Sequence, residues 1–452
     1  MCISTSSKKV QKTHPAISPD PEATQIHAAR EEEDAVGSLI RFELKKICSQ
    51  RVTQVAVLAI AALLAWVTTF NITSQFALDP NAVGSEFEGT SAIAQQKENA
   101  DALTGPITNE AATDAIREWK TFMEGDEIAA QYQWGGSTMG TDAEAYWDFY
   151  APRTNYLSLI VGPWMQGFEM PVSVASRIDT NVTLDLYGQA RQKAASELAG
   201  GNQAFAYSEA ERAFWKEKAS NVQTPVEYGY AGGWLDFFDI SAFLIFALIV
   251  CAIACASVFN IEYREKTDAV LLSTKLGKSK LGAAKAIASI IVASVVYIIM
   301  LAVLLGVPLV FFGAEGAGLP LQLRELCNTY DLSLGAAVLA LCVVGYLVML
   351  GLLGITLLLS SKMRSSMGIL AIIAAIVIVP MMMSNLHNNI ANHVLFLFPF
   401  LALDANNFFD MVSYSIGPLV IEYPVVLAIF YAALFVIGTL LSRRCFSKHQ
   451  VA

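Results

Sequence analysis

Charged residues make up only 15% of this 452-residue chain, and none of its seven cysteines falls between residues 73 and 235. The scarcity of charge accompanies a hydrophobic content of 54%. This composition excludes an ordinary soluble domain of this size and predicts several membrane spans. The lack of cysteine excludes a disulfide framework for residues 73–235, so any folded domain there must be held by its own apolar core.

The motifs of several enzyme classes are also missing. The chain has no His-Glu-x-x-His motif, no nucleophile elbow and no cysteine-rich ligand set. Gly277-Lys278-Ser279 matches the end of a P-loop, but Leu272 stands where the first glycine of that loop is required. Cys251 and Cys255 lie four residues apart in an apolar run, where small core residues are favoured over a metal pair. We therefore expect no enzyme activity, no metal site and no cofactor bound by this chain.

Ionisable residues are almost absent from the apolar runs themselves, since Asp236, Asp239 and Glu422 stand at their ends. Charge inside a membrane is costly and is retained for a task. Its scarcity disfavours proton-coupled transport and intramembrane catalysis together.

Acidic residues are concentrated in one long stretch. Residues 73–235 contain 22 Asp or Glu against 10 Lys or Arg, whereas basic residues elsewhere cluster beside apolar runs. Because Lys and Arg are enriched in cytoplasmic loops, residues 73–235 are predicted to lie outside the cell membrane and both termini inside. The basic clusters lack interleaved aromatic residues, so no nucleic-acid partner is expected.

The apolar runs predict an all-α membrane protein with six transmembrane helices and a mostly helical extracellular domain. The predicted spans are residues 52–72, 236–258, 286–312, 332–359, 367–383 and 424–441. Spans two to six therefore occupy residues 236–441. The ends, residues 1–36 and 442–452, are predicted to be cytoplasmic tails, the first of them disordered. In the fourth span, Gly345, Gly351 and Gly354 mark places where helices can approach closely.

An amphipathic helix is predicted at residues 38–51, before the first span. Apolar residues recur there at spacings of three and four, and they alternate with cationic residues. We expect this helix to lie on the membrane surface. The residues assigned to this interface helix are Arg41, Phe42, Lys45 and Lys46.

The predicted extracellular domain, residues 73–235, carries clear helix signals. Thr108 is a candidate N-cap, and Ser208 with Glu211 forms a capping box. Residues 132–164 are rich in aromatic side chains. A small domain core explains these side chains better than a cargo-binding surface, although both remain open at this point.

Residues 385–421 contain an apolar run of only ten residues, 394–403, which is too short to cross a membrane. This run predicts a re-entrant or interfacial hairpin on the outer side. His387 and His393 flank its start, and with Asn residues as neighbours we expect them to be solvated loop histidines.

The segment 260–282 is a dense charged stretch between the second and third predicted spans. It runs from Glu262-Tyr-Arg264-Glu265-Lys266 through a Leu271-Leu272 pair to a lysine-rich re-entry that ends at Lys285. Glu262 and Lys266 have the spacing of a helical ion pair. An ordinary basic loop obeying the positive-inside rule would explain the charge alone. The order of these features, after an apolar helix ending in Phe259-x-x-Glu262, resembles the permease subunit of type-2 (ABC-2 type) ATP-binding-cassette exporters.

The resemblance covers nearly the whole chain in topology and implies how it functions. In that family the corresponding segment is a coupling helix that docks on a separate ATPase. It implies an ATPase-coupling site here, a cytoplasmic ABC ATPase subunit that binds ATP, and a second permease subunit in a homodimer or heterodimer. The coupling residues are Glu262, Arg264, Glu265, Lys266, Leu271 and Leu272. Charged members are expected to pair with the partner, and the two leucines to fill an apolar groove.

Two functions from different classes remain after this reasoning. The first is the membrane-spanning permease subunit of an ATP-driven exporter that uses a separate ATPase. The second is a membrane sensor or signalling component whose extracellular domain detects a ligand. The transported substrate is not encoded in any single residue.

Overall fold

The computed structural model describes residues 36–123, 141–201, 205–267, 280–383, 386 and 388–448. Over these ranges the chain is mostly helical, with three two-stranded antiparallel sheets. The long apolar helices form a bundle. A domain of shorter elements is inserted between the first two of them.

The elements follow one another in three groups. The first group is α1, residues 36–48, and α2, Arg51–Thr73. The inserted domain contains β1 (Phe76–Leu78), β2 (Glu86–Glu88), α3 (Gly89–Ala102), β3 (Gly105–Ile107), α4 (Asn109–Met123), α5 (Thr141–Tyr150), α6 (Thr154–Val161), α7 (Pro171–Arg177), α8 (Leu186–Ser196), a π turn (Glu197–Gly201), α9 (Glu209–Asn221) and β4 (Val226–Tyr228). The remaining bundle contains α10 (Gly232–Ile240), α11 (Ile245–Cys255), α12 (Asn260–Glu265), α13 (Leu281–Leu304), α14 (Gly306–Phe311), α15 (Leu334–Lys362), α16 (Ser366–Met381), α17 (Asn389–Phe396), α18 (Pro399–Leu403), α19 (Ala405–Phe408), β5 (Ser413–Ile416), β6 (Leu419–Glu422) and α20 (Tyr423–Ser447).

Five helical segments in the described ranges are long and apolar enough to cross a membrane. They are Arg51–Thr73, Gly232–Glu265, Leu281–Phe311, Leu334–Lys362 and Tyr423–Ser447. The fifth span predicted from the sequence, residues 367–383, corresponds to α16, which has 16 residues. At 1.5 Å per residue, α16 is about 24 Å long, less than the ~30 Å of a bilayer core. The five long helices confirm a multi-pass architecture, and a sixth crossing by α16 stays a prediction.

Glycines bring α15 and α20 into main-chain contact. A Cβ atom added at Gly438 would lie 2.5 Å from the carbonyl carbon of Gly354, and one added at Gly354 would lie 2.9 Å from the carbonyl oxygen of Leu434. One turn away, a Cβ at Gly351 would lie 2.5 Å from the ring of Tyr431. No residue with a side chain fits these positions without a shift of backbone. The predicted close approach at the α15 glycines is confirmed.

An aromatic core holds the inserted domain together. Tyr146, Trp147 and Phe149 on α5 are all buried. Trp119 on α4 is fully buried, stacks on Tyr150 and donates a hydrogen bond to the Tyr146 hydroxyl at 3.3 Å. Within the described residues, the aromatic stretch is therefore a domain core, as the sequence favoured over a cargo surface.

The predicted caps of two domain helices are confirmed. The hydroxyl of Thr108 accepts a hydrogen bond from the Ala111 amide at 3.1 Å, at the start of α4. Ser208 and Glu211 form a complete capping box at the start of α9. These local bonds satisfy amide groups that a helix start would otherwise leave unpaired.

In the predicted hairpin region, residues 388–421 form three short helices and most of the β5–β6 hairpin, and the hairpin packs against α9 of the inserted domain. Ser413 on β5 accepts a hydrogen bond from the indole of Trp215 and donates one to Glu211, both at 3.1 Å. The Asn389 side chain accepts a hydrogen bond from the Ala206 amide at 3.0 Å. The hairpin region therefore joins the domain to the bundle.

His393 does not behave as a solvated loop histidine. Its ring nitrogens lie 2.7 Å from the Asn389 carbonyl oxygen and 3.1 Å from the Ser413 carbonyl oxygen. The ring also packs edge-on against Phe205 and Tyr414. The expectation of solvation was wrong for His393 because tertiary neighbours supply its partners, and His387 lies outside the described residues.

Candidate functional site: a buried charge cluster at the coupling end

The interface helix α1 turns one face into the bundle and the other outward. Ile47 and Glu43 are 1% and 2% exposed, whereas Phe42 is 62% exposed. Arg41 and Lys45 are exposed as well. The apolar residues of α1 thus split between core and surface, and a carboxylate lies among those that face the core. We call the end of the bundle formed by α1, α12 and the start of α13 the coupling end.

Lys285 lies in the second turn of α13 with its side chain fully buried. Its ammonium nitrogen is 3.0 Å from Glu43 Oε2 and 2.5 Å from Glu262 Oε1. It also donates a hydrogen bond to the Val258 carbonyl at 2.9 Å. Lys46 reaches the same Glu262 oxygen at 3.3 Å. Three helices, α1, α12 and α13, therefore meet at one charge cluster.

The cluster balances its own charge. Glu43 and Glu262 supply two carboxylates, and Lys46 and Lys285 supply two ammonium groups. Removing charge from water is costly, and close pairing with good hydrogen bonds is what offsets that cost. Glu262 Oε2 is nevertheless buried without a hydrogen-bond partner among the described residues. Because that oxygen has no partner, the ion pairs that the cluster does form are needed to offset the cost of burying its charges.

Hydrogen bonds also fix α12 to the junction between α15 and α16. The Ser360 hydroxyl accepts a bond from the Phe259 amide at 3.1 Å, and the Asn260 side chain donates to Ser366 at 3.0 Å. The Tyr263 hydroxyl donates to the Ser361 carbonyl at 3.3 Å. A displacement of α12 must therefore move α15 and α16 or break these bonds.

The end of α20 and the start of α2 complete the surroundings of α12. Phe446 near the end of α20 is fully buried, and its ring lies 5.1 Å from the ring of Phe259. Ser257, just before α12, donates a hydrogen bond at 3.0 Å to Gln50, the residue that precedes α2. Residues of α13, α15, α16 and α20 thus contact α12 or the residue that precedes it.

The predicted coupling residues divide into three groups. Arg264 and Glu265 are exposed, with side chains 60% and 56% accessible, and Lys266 is exposed too. Glu262 is buried, so the expectation that it pairs with a charge on a partner was wrong: it pairs with Lys285 and Lys46 instead. Leu271 and Leu272 lie outside the described residues.

The expected helical ion pair from Glu262 to Lys266 is also replaced. Lys266 adopts a left-handed conformation, with φ 55° and ψ 30°, at the C-cap of α12. The helix ends there, so the spacing that a continuing helix would give is lost. Glu262 pairs instead with the fully buried ammonium group of Lys285 and the partly buried one of Lys46.

Glu43 and Lys285 were missed as functional residues by sequence reasoning. The sequence pattern places Lys285 in a basic re-entry at the membrane edge, whereas α13 begins four residues earlier, at Leu281. A lysine inside an apolar helical run, together with a glutamate on the core side of an amphipathic helix, was the available signal. Such charges in membrane segments mark functional positions.

The two cysteines of α11 lie in the core of the bundle. Cys251 and Cys255 are buried on α11, and their thiols face the carbonyls of Ala293 and Ser289 on α13. Across the described ranges, no three His, Cys, Asp or Glu side chains are grouped to hold a metal ion. The two cysteines are core residues, as the sequence indicated.

Comparison with known proteins identifies the family of this chain. Searches with the chain matched neither a curated protein nor a solved structure. The profile of one family, described as ABC-2 family transporter protein, matches residues 39–435. The match begins within α1 and ends within α20, so it includes the first four long apolar helices, the first half of α20 and the charge cluster. This multi-pass membrane protein belongs to the ABC-2 family of transporter proteins.

Proposed function

We propose that this chain is the membrane-spanning permease subunit of an ATP-driven ABC exporter and moves a substrate out of the cell. The observation that carries the proposal is the family match over residues 39–435. Membership of this family implies association with an ABC ATPase. The chain itself contributes transport and no ATP hydrolysis in this proposal, and ATP is bound by the partner.

The geometry of the coupling end supports docking of an ATPase there. Arg264, Glu265 and Lys266 are exposed on and just after α12. On the adjacent α1, Arg41 and Lys45 are exposed too. Charged side chains at the rim of an interface steer a partner, whereas buried apolar residues anchor it. Leu271 and Leu272 are the proposed anchors.

The buried cluster supports transmission from the docked ATPase to the bundle. A conformational change can be driven only through contacts that differ between two states. Glu262 connects α12 to α1 through Lys46 and to α13 through Lys285. A push on α12 would therefore reach both helices at once. In this proposal Glu262 transmits the movement from within the chain and makes no contact with the ATPase.

A second permease subunit, identical or similar, completes the proposed transporter. The described residues of one chain supply five long apolar helices and the shorter α16. Two such chains around a central pathway, with two ATPase subunits below, form the proposed assembly. Purification of a single permease subunit that retains transport-coupled ATP hydrolysis would contradict this part of the proposal.

The deciding experiment begins with the partner. An affinity-tagged full-length chain, purified from its native membrane, should bring an ABC ATPase with it, and the pair should hydrolyse ATP faster than the ATPase alone. Recovery of a histidine kinase and no ATPase would instead favour the sensor function.

Substitutions then test the docking site. Leu272→Asp should leave the chain in the membrane but abolish stimulation of ATP hydrolysis and transport. Glu265→Ala should have a smaller effect, because an exposed ion pair contributes only about 0–1 kcal/mol. Glu118→Ala, at an exposed glutamate of α4 in the inserted domain, is the matched control and should change neither. Normal ATPase binding and transport by a correctly inserted Glu265→Ala/Leu272→Asp variant would show that coupling runs elsewhere.

A further inference from the structure

Two cavities adjoin at the end of the bundle that carries the inserted domain. Their volumes are about 310 Å³ and about 450 Å³, and both fall within the range of about 300–1,000 Å³ that small-molecule sites occupy. We call the two together the junction cleft, because they lie between the inserted domain and the adjacent ends of α2 and α10. Their shared wall residues are Gln75, Gln96, Ala100, Asn155 and Tyr228.

The main chain of β1 borders the smaller cavity. The consecutive residues 74–78 all line it, and they include the whole of β1. Because successive side chains of a strand point to opposite faces, one face of a strand contributes only alternate residues to a wall. A wall that takes every residue of β1 therefore includes the edge of the strand.

This edge of β1 carries no neighbouring strand. In the described residues β1 pairs only with β2, in an antiparallel two-stranded sheet. The Asp79 amide donates to the Ser85 carbonyl at 3.0 Å, which fixes the hydrogen-bonded positions of the ladder. Since those positions alternate along an antiparallel pair, the main-chain groups of Phe76 and Leu78 point away from β2.

Most of these outward main-chain groups are unpaired. The Phe76 carbonyl accepts a hydrogen bond at 2.9 Å from the side chain of Gln96, which takes the place of one donor of a neighbouring strand. The Phe76 amide and both main-chain groups of Leu78 have no partner among the described residues. A free strand edge is a template for the addition of another strand.

The hydroxyl of Tyr228 is a further unpaired group in the junction cleft. Tyr228, on β4, is 8% exposed and lines both cavities. Its ring packs edge-on against Tyr156, and its hydroxyl forms no hydrogen bond within the described residues. Tyr230 also has an unpaired hydroxyl, but that group is fully enclosed, whereas the Tyr228 hydroxyl is open to the cleft. Buried polar groups are normally paired, so a ligand in the cleft would supply the partner of Tyr228.

The charged groups of the cleft already have partners. Asp239 lies 3.6 Å from Arg324, and Asp236 accepts a hydrogen bond from Asn71 at 2.6 Å. The cleft is therefore suited to a ligand held by hydrogen bonds and not by net charge. The other polar wall residues are neutral amides and hydroxyls: Asn71, Ser74, Gln75, Gln96, Asn99, Thr154, Asn155, Ser158, Tyr228 and Tyr230.

The spacing of the free edge groups decides between a peptide and a saccharide. Leu78 offers an amide and a carbonyl together, and Phe76 offers an amide two residues away, which is the repeat of a β-ladder. An extended peptide presents its own amides and carbonyls at that repeat. The hydroxyl groups of a saccharide are instead spaced by its rings.

We propose that the junction cleft binds a short peptide in an extended conformation, which adds to the free edge of β1 as a third strand. In antiparallel addition, one peptide residue exchanges both main-chain hydrogen bonds with Leu78, and the residue two positions further accepts one from the Phe76 amide. The Tyr228 hydroxyl bonds to the same peptide from the opposite wall. The proposal holds whether the peptide is a transported substrate or a sensed ligand, so it does not rest on the proposed function.

The proposal is tested with the full-length chain in phosphatidylcholine nanodiscs by saturation-transfer difference NMR, which detects weakly bound ligands. The probes are two acetylated and amidated tripeptides without net charge, Thr-Val-Thr and Ser-Ala-Ser, and maltotriose is the saccharide comparison. Saturable binding of both peptides is expected, with little dependence on salt because no free charge is involved. Absence of saturable peptide binding, or binding of maltotriose alone, would overturn the proposal.

Methylation of single amide nitrogens in Thr-Val-Thr tests strand addition itself. Successive amides of an extended peptide point to opposite sides, so only alternate ones face β1. Methylation of one amide should therefore abolish binding, while methylation of the next should be tolerated. Equal tolerance or equal loss at successive amides would show that the peptide does not bind as a strand.

A pair of tyrosine substitutions assigns the binding to the cleft. Tyr228→Phe removes the open hydroxyl and should weaken peptide binding about fivefold, the effect of one neutral hydrogen bond. Tyr230→Phe removes the enclosed hydroxyl and should leave the affinity unchanged. Equal effects of the two substitutions would contradict the site.

A pair of proline substitutions tests the edge of β1. Leu78→Pro removes an outward amide, which a strand edge tolerates, and should weaken peptide binding at least about fivefold. Glu86→Pro is the matched control, because Glu86 lies opposite Leu78 on β2 and its amide points to the other edge of the sheet. Equal binding by the two variants would contradict the proposal. If Leu78→Pro does not purify folded, the alternation of the methylated peptides and the tyrosine pair decide.

Discussion

Replacing Lys285 by methionine is the sharpest test of the charge cluster at the coupling end. Methionine fills nearly the same volume but carries no charge, so the buried carboxylate of Glu43 loses the cation that lies 3.0 Å away. Glu262 is affected less, because Lys46 stays 3.3 Å from it. Breaking a buried ion pair by removing one partner costs about 3–5 kcal/mol. We expect a loss of that order in the free energy of unfolding.

A second substitution reverses the sign of the effect. Glu43→Gln alone should destabilise the chain, because it leaves Lys285 sharing Glu262 with Lys46. In the Lys285→Met background the same change should stabilise, because it removes the carboxylate that has lost its cation. The remaining pair, Glu262 with Lys46, is then neutral overall. Coupling energies between groups in one network are about 0.5–3 kcal/mol, and we expect a value near the upper end.

The assay is equilibrium unfolding of the purified full-length chain in detergent, with the four combinations of the two substitutions measured side by side. Lys362→Met is the matched control, since Lys362 is an exposed lysine in the last turn of α15, and its loss should cost about 1 kcal/mol or less. Equal losses for Lys285→Met and Lys362→Met would refute the reasoning. So would a Glu43→Gln effect that is the same in both backgrounds, because the cluster would then have no internal coupling.

Three further predictions concern packing, pH and topology. Gly438→Leu should destabilise the bundle by at least about 1–3 kcal/mol through overpacking, whereas Gly306→Leu, with open space around its α-carbon, should cost less; melting temperatures in detergent compare them. Burial raises the pKa of Glu197, in the π turn after α8, from 4.5 to about 6, so its ionisation lowers stability as pH rises through 6. Glu197→Gln should therefore stabilise the chain more at pH 7.5 than at pH 5, and equal gains at both pH values would contradict this assignment. In an otherwise cysteine-free chain, Ser176→Cys in the inserted domain should react with an impermeant thiol reagent in intact cells, and Cys48, exposed next to the coupling end, only after permeabilisation; the opposite pattern would invert the predicted topology.

Local features of this chain could be predicted from its sequence because each depends on residues a few positions apart. Ser208 and Glu211 of the capping box are three positions apart, and so are Gly351 and Gly354 of α15. The length of an apolar run likewise shows directly whether the helix it forms can cross a membrane. These features gave the membrane helices, the helical character of the inserted domain and its aromatic core.

The charge cluster could not be predicted in this way because its members are remote in sequence. Lys285 and Glu43 are 242 positions apart, and no periodic pattern relates them. The spacing rule instead paired Glu262 with Lys266, a local interaction that tertiary packing replaced.

The glycine contact between α15 and α20 has a consequence for how the bundle can move. Where the two main chains touch, no side chains lie between them that could change rotamer as the helices move. Neither helix can therefore slide or rotate unless it first separates from the other. We expect α15 and α20 to move together as one rigid body throughout a transport cycle. We expect bending to occur elsewhere. A candidate hinge is the 3₁₀ turn Ser241–Leu244, which interrupts the second long segment between α10 and α11.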